Sequence, residues 1–225
     1  MSPKNSLHEA RRPKYAFDKL ALAECCLRSV VDGFGDIKPK IHFLLDSCPP
    51  EWEEMIKKRM KWENYEIENI NCNNQNTSYL IQLDRARYVD DLILFQEDDY
   101  VYLPNIGKTF ESALKELEFV SPYDHREFYD EKLDYHQGKW DIKLIADQHW
   151  RTIDFNTMTW GCHSGRLSDY WDELHLHGFW DMDTWKEMSK AGAKLWSPIP
   201  SLATHMHADF LAPGINWYER FNELE

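Results

Sequence analysis

The chain has only nine glycines in 225 residues, and none cluster near the N-terminus. A Gly-rich phosphate loop is therefore missing, which argues against a sugar-nucleotide pyrophosphorylase. Cysteine is equally sparse. Cys25, Cys26, Cys48, Cys72 and Cys162 form an odd set with no CxxC pair, so neither a disulfide framework nor a zinc site is expected, and reduced thiols of a cytoplasmic protein are. Positive charge is in deficit: the formal net charge is -13. A general nucleic-acid binder needs a basic surface to displace counterions, so no nucleic-acid partner is expected. No apolar stretch approaches the roughly 18 residues that span a bilayer, so no transmembrane segment is expected. The opening "MSPKNSLHEARRPKY" has no apolar core of a signal peptide.

Apolar residues are not lacking. They make up 43% of the chain, enough for a substantial core, and aromatics 14%, with ten tryptophans that serve either core packing or, for a few, sugar stacking. No internal repeat or linker divides the chain, so one domain is expected over residues 1–225. The first half alternates. "YAFDKLALAECCLRSVV" has apolar residues at helical spacing, and "KIHFLLDS" is an apolar run closed by Asp46. "PPEWEEMIKKRMKW" places prolines and acids where a helix starts and bases where it ends. "YEIENIN" alternates as a strand does, "SYLIQLDRARYV" reads as a helix, and "DLILFQEDD" as a further strand. Strands alternating with helices predict an α/β fold with a mostly parallel central sheet flanked by helices. The second half is less periodic. "DIKLIADQHWRTIDFNTMTWGCH" predicts two strands, "LSDYWDELHLHGFWDMDTWKEMSKAG" one or two helices closed by Gly192, and the tail is read as mostly loop.

The strongest chemical signal is "LILFQEDDYVYLP", where Glu97, Asp98 and Asp99 follow directly on a buried-looking run. Adjacent like charges raise the cost of ionising one another, so a cation is expected beside them. In open α/β sheets ligands bind beyond the carboxyl ends of strands, and Asp46 lies at a second such end. One or two carboxylates with phosphate oxygens and water suit a hard divalent cation, Mn2+ or Mg2+. The plain alternative is a solvated acidic turn.

Scattered motifs over most of the chain resemble metal-dependent glycosyltransferases of the GT-A (Rossmann-like) fold, nearest to the family-2-like group. "RRPKYAFDKLALAECCLRSV" is similar to the family's opening segment, with Arg12 and Pro13 matching and Arg11 in place of an Asn. "IHFLLDS" is similar to the strand whose last Asp, Asp46, would hold uracil or ribose. "FQEDDY" resembles the DXD motif in its Glu-Asp-Asp form; this implies that Asp99 reaches the metal while Glu97 and Asp98 contact ribose or donor sugar. "WDMDTWKEMSKAG" is similar to the segment in which a Glu-Asp pair precedes a helix. That makes Asp181 the expected catalytic base, with Trp180 where the family has Glu and Asp183 as a rival. "IPSLATHMH" resembles the segment ending in a metal-ligand His, which would be His205, with His207 as the alternative. The donor that the resemblance implies is a nucleotide-sugar, a UDP-sugar in this reading. The implied acceptor is a hydroxyl of a glycan, glycoprotein or glycolipid. Residues to about 105 would bind the donor, and residues from about 106 the acceptor. The rivals are a metal-dependent phosphoesterase and a non-catalytic carbohydrate-binding module.

Overall fold

The computed structural model describes residues 18–130, 140–176 and 181–224. Arg12, Pro13 and Trp180 therefore lie outside the described residues. The first helix, α1 (Lys19–Gly33), starts where Asp18 accepts the amides of Leu20 and Ala21 at 2.9 and 3.2 Å. Its apolar face carries Cys26 and Val30 into the core. Strand β1 (Ile41–Asp46) follows, then α2 (Pro50–Arg59), with Pro50 in its first turn, Glu51 and Glu53 near its start and Lys57, Lys58 and Arg59 at its end. Strand β2 (Tyr65–Ile70) returns parallel to β1, and α3 (Gln75–Ala86) is capped by Asn74. This is the alternation the sequence predicts.

Strand β3 (Leu92–Phe95) ends before the acids, which occupy a turn leading to β4 (Tyr100–Tyr102). Then come α4 (Gly107–Glu116), β5 (Phe119–Val120), β6 (Ile142–Ile145), β7 (Gln148–Ile153) and β8 (Trp160–His163). Three short helices follow, α5 (Gly165–Asp169), α6 (Trp171–Leu176) and α7 (Asp181–Lys190). Gly192 ends this run at φ 101°, where a side chain would be strained. The tail forms β9 (Leu195–Ile199), β10 (Ala203–His205) and α8 (Trp217–Glu223).

The expectation of a mostly parallel sheet needs correction. The six-stranded sheet has the order β3-β8-β5-β9-β7-β6, and only β5 with β9 is parallel. The β3/β8, β5/β8, β6/β7 and β7/β9 pairs are antiparallel, as is the separate β4/β10 pair. Parallel neighbours need long crossovers. The second half supplies a tight hairpin instead, with Ala146 and Asp147 both at positive φ between β6 and β7. "DIKLIADQHWRTIDFNTMTWGCH" thus holds three strands, and the tail is more regular than a loop.

Aromatic side chains fill the core. Trp150, Trp160, Trp185, Trp196 and Trp217 are all buried, so packing accounts for half of the ten tryptophans. Five cysteines are free, as expected. No helix among the described residues is long and apolar enough to cross a membrane.

Candidate active site

The turn from Glu97 to Asp99 is held from three directions. From the tail, β10 pairs antiparallel with β4, setting His205 opposite Tyr100. The two rings stack 5.2 Å apart and nearly parallel. Phe210 stacks near the His205 ring at 5.9 Å. His205 Nε2 then lies 3.0 Å from Asp99 Oδ2, with the two side chains 15% and 33% exposed. Burial pulls the His205 pKa down, but the hydrogen bond and charge of Asp99, with Glu97 and Asp181 behind it, outweigh this and raise it.

From the sheet, pairing of Phe95 with Trp160 carries the β7–β8 loop onto the acids. Thr159 Oγ1 accepts the Glu97 amide at 3.2 Å and donates to Glu97 Oε2 at 3.3 Å. Thr157 bonds the Tyr100 hydroxyl. Burial, then the neighbouring Asp99, pushes Glu97 up to about 7. From α1, Lys19 reaches Asp98 at 3.7 Å, an exposed pair that contributes little. Burial raises Asp98 against that cation. So the acids meet Lys19 and His205; nothing in the sequence patterns signalled Lys19, Thr157 or Thr159.

Asp99 Oδ1 is buried and has no hydrogen-bond partner. An orphaned carboxylate oxygen is costly, and cations relieve it. His205 Nε2 hydrogen-bonds the other oxygen, Oδ2, at 3.0 Å, which leaves Oδ1 as the atom a cation would relieve. Oxygen with imidazole nitrogen suits Mn2+. Among the described residues no three such side chains form a complete cage, so Asp99 and His205 fit as a partial set that a ligand's oxygens and water would complete.

Asp181 opens α7, its Oδ1 accepting the Met182 amide at 2.8 Å. It is half-buried; burial raises its pKa while the backbone amides of Met182 and Asp181 oppose. Its charge has the smallest effect of those that act on Glu97 and His205, which puts it in the wider electrostatic surroundings of the acidic turn. Asp183 is instead exposed and paired with Lys186 at 3.2 Å. His207 lies next to Phe210, 4.7 Å between rings, and faces Asp209 at 4.0 Å. Asp46 stands at the end of β1. Its Oδ1 accepts the Cys72 and Asn73 amides at 2.8 and 3.2 Å, which outweigh burial and lower its pKa. The Cys48 thiol, which bonds the Asp46 carbonyl at 3.8 Å, also feels the charges of Asp98 and Lys19.

"PYDHREF" and "HWR" mainly brace the loops. Arg151 and Asp124 form an ion pair of 2.6 Å with both side chains at most 2% exposed. The Tyr129 hydroxyl also donates to Asp124. His125 packs among Tyr123, Phe128, Phe155 and Phe210, and burial lowers its pKa to about 4.

A mixed α/β sheet packed on by helices, with a carboxylate turn after its edge strand β3, is a layering shared with a solved glycosyltransferase of GT-A fold. Among solved structures, the chain is similar to the galactosyltransferase LgtC in complex with donor and acceptor sugar analogs. The TM-score is 0.55 and the identity 17%, over 90% of this chain and 91% of that one. At that identity the likeness establishes the fold. No protein-family model matches the chain, and no curated protein matches it in sequence.

Proposed function

We propose that the protein is a family-2-like, metal-dependent glycosyltransferase that moves a sugar from a UDP-sugar to an acceptor hydroxyl of a glycan, glycoprotein or glycolipid in the cytoplasm. The observation that carries this reading is Asp99, which presents a buried unpartnered oxygen beside His205 and within the electrostatic reach of Asp181. Asp99 and His205 would hold Mn2+ or Mg2+, and Glu97, Asp98, Asp46, Arg12 and Pro13 would contact the donor. Bound there, the cation neutralises charge on the departing diphosphate. Residues to about 105 carry the donor contacts and those from about 106 the acceptor.

Asp181 takes the proton of the acceptor hydroxyl as that oxygen attacks the anomeric carbon. The carbon–oxygen bond to the diphosphate breaks on the opposite face, and its electron pair leaves with UDP. The product is inverted, and one proton rests on Asp181.

A thermal-shift screen of nucleotides with and without Mn2+ tests the reading. At a hundredfold excess over the dissociation constant, UDP with Mn2+ should stabilise by about 2.7 kcal/mol, roughly 5–10 °C in a chain this size. Absence of any nucleotide shift, with a shift from free glycan, would make the protein a carbohydrate-binding module instead.

The ligand assignment at the tail is separable. His205→Ala should raise the Mn2+ needed for half-maximal UDP binding by about tenfold or more, as losing one ligand of a weak set does. His207→Ala should leave it unchanged. The reverse pattern would move the ligand to His207.

A further inference from the structure

Among the described residues, β6 closes one side of the six-stranded sheet with no strand beyond it. Its backbone phase is set by its inner neighbour. The Thr152 amide donates to Asp141 O at 3.0 Å, so Asp141 turns its backbone groups toward β7. By strand alternation Lys143 and Ile145 do the same, and Ile142 and Leu144 direct their N–H and C=O groups outward. Side chains alternate as well. Ile142 and Leu144 share a face, 66% and 65% exposed, continuous with Trp140 at 42%. Asp141 and Lys143 share the opposite face.

An uncovered edge with exposed apolar side chains is a template for another strand. We propose that a second copy of this chain covers it, its β6 running antiparallel to the first about a twofold axis at Ile142. Only outward-facing residues can sit opposite one another as hydrogen-bonded partners, which leaves three registers. Centred between Ile142 and Leu144, Lys143 would face Lys143. Centred on Leu144, Asp141 would face Asp147. Centred on Ile142, Ile142 meets Ile142 and each Trp140 meets the other copy's Leu144, an unbroken apolar row. On the other face each Asp141 lies directly across from the other copy's Lys143, twice over. The edge is therefore self-complementary in hydrogen bonds, apolar contact and charge in that one register. Asp141, which now pairs with Lys194 at 2.6 Å, would lie between two cations.

A ribbon this short makes a small interface, in the size class of transient complexes. Sedimentation of the wild-type chain from about 10 to 500 µM should therefore reveal a reversible monomer–dimer equilibrium. Asp141→Lys and Lys143→Glu each put like charges across the axis, and each alone should weaken dimerisation by about tenfold or more. An equimolar mixture of the two variants restores opposite charges at both positions and should dimerise as the wild type does. The double variant Asp141→Lys/Lys143→Glu should also dimerise. Both positions are exposed, and recovery in the mixture demonstrates that each variant is folded. A wild-type chain monomeric throughout that range, single variants that associate like wild type, or a mixture that stays monomeric would each overturn the proposal.

Discussion

Replacing Asp99 by Ala should lower UDP affinity in Mn2+ by about a hundredfold or more, and chelating the metal from the wild type should do the same. The two losses should not add. In EDTA the variant and the wild type should bind UDP equally weakly, because both lack one and the same bridge. Titration calorimetry of the four combinations reads this directly. Stability provides an independent control. Asp99 keeps one oxygen buried without a partner, which destabilises the metal-free fold, while its other oxygen bonds His205. These contributions oppose, so the melting temperature of the Ala variant in EDTA should stay within a few degrees of the wild type. An Asp99→Ala protein that binds UDP normally in Mn2+ would remove the metal from the site.

Asp181→Asn should reduce transfer to acceptor by roughly a hundred- to ten-thousand-fold, the range general bases contribute, with UDP and Mn2+ affinity retained. Asparagine keeps the shape and still offers an oxygen to the Met182 amide, so the start of α7 should persist. Asp183→Asn should keep most activity, since its carboxylate is turned to solvent and to Lys186. The measurement is turnover at saturating donor and acceptor. Near wild-type turnover in Asp181→Asn would exclude it as the base and direct attention to Asp124 and His125, although Asp124 is already engaged by Arg151.

The first half was legible because its elements are local. Helical spacing in "YAFDKLALAECCLRSVV", prolines and acids opening α2, and the apolar runs of β1 and β3 all report on their own neighbours in the chain. Asp46 and the acidic turn stand out because each closes an apolar run, whereas Asp181 and His205 were named only through segments that resemble a glycosyltransferase family. Strand direction was not legible. Whether β8 lies beside β3 depends on where a distant segment returns, and "TMTWGCH" does not encode that pairing in its pattern. Thr157 and Thr159 were missed for the same reason: a threonine hydroxyl becomes a clamp only once the β7–β8 loop has been laid across the acids. The left-handed pair Ala146–Asp147 carries no glycine, so the β6–β7 hairpin lacked its usual mark.

The way the acidic turn is held has a consequence for how this chain can be cut or recombined. Glu97 is clamped by Thr159, and Asp99 is met by His205 on β10, so the two hydrogen-bonded supports of the acidic turn come from more than sixty residues downstream. Strand β3 itself is zipped to β8 and not to another strand of its own half. The acidic turn therefore depends on both halves of the chain. A fragment ending near residue 105 would carry every acid of the turn and, of the groups that meet them, only the exposed Lys19. Exchanging the later half with that of another protein would dismantle the turn unless the two threonines and the histidine came along. If the chain transfers sugar as proposed, its acceptor choice would drift by substitution around the site more readily than by shuffling of modules.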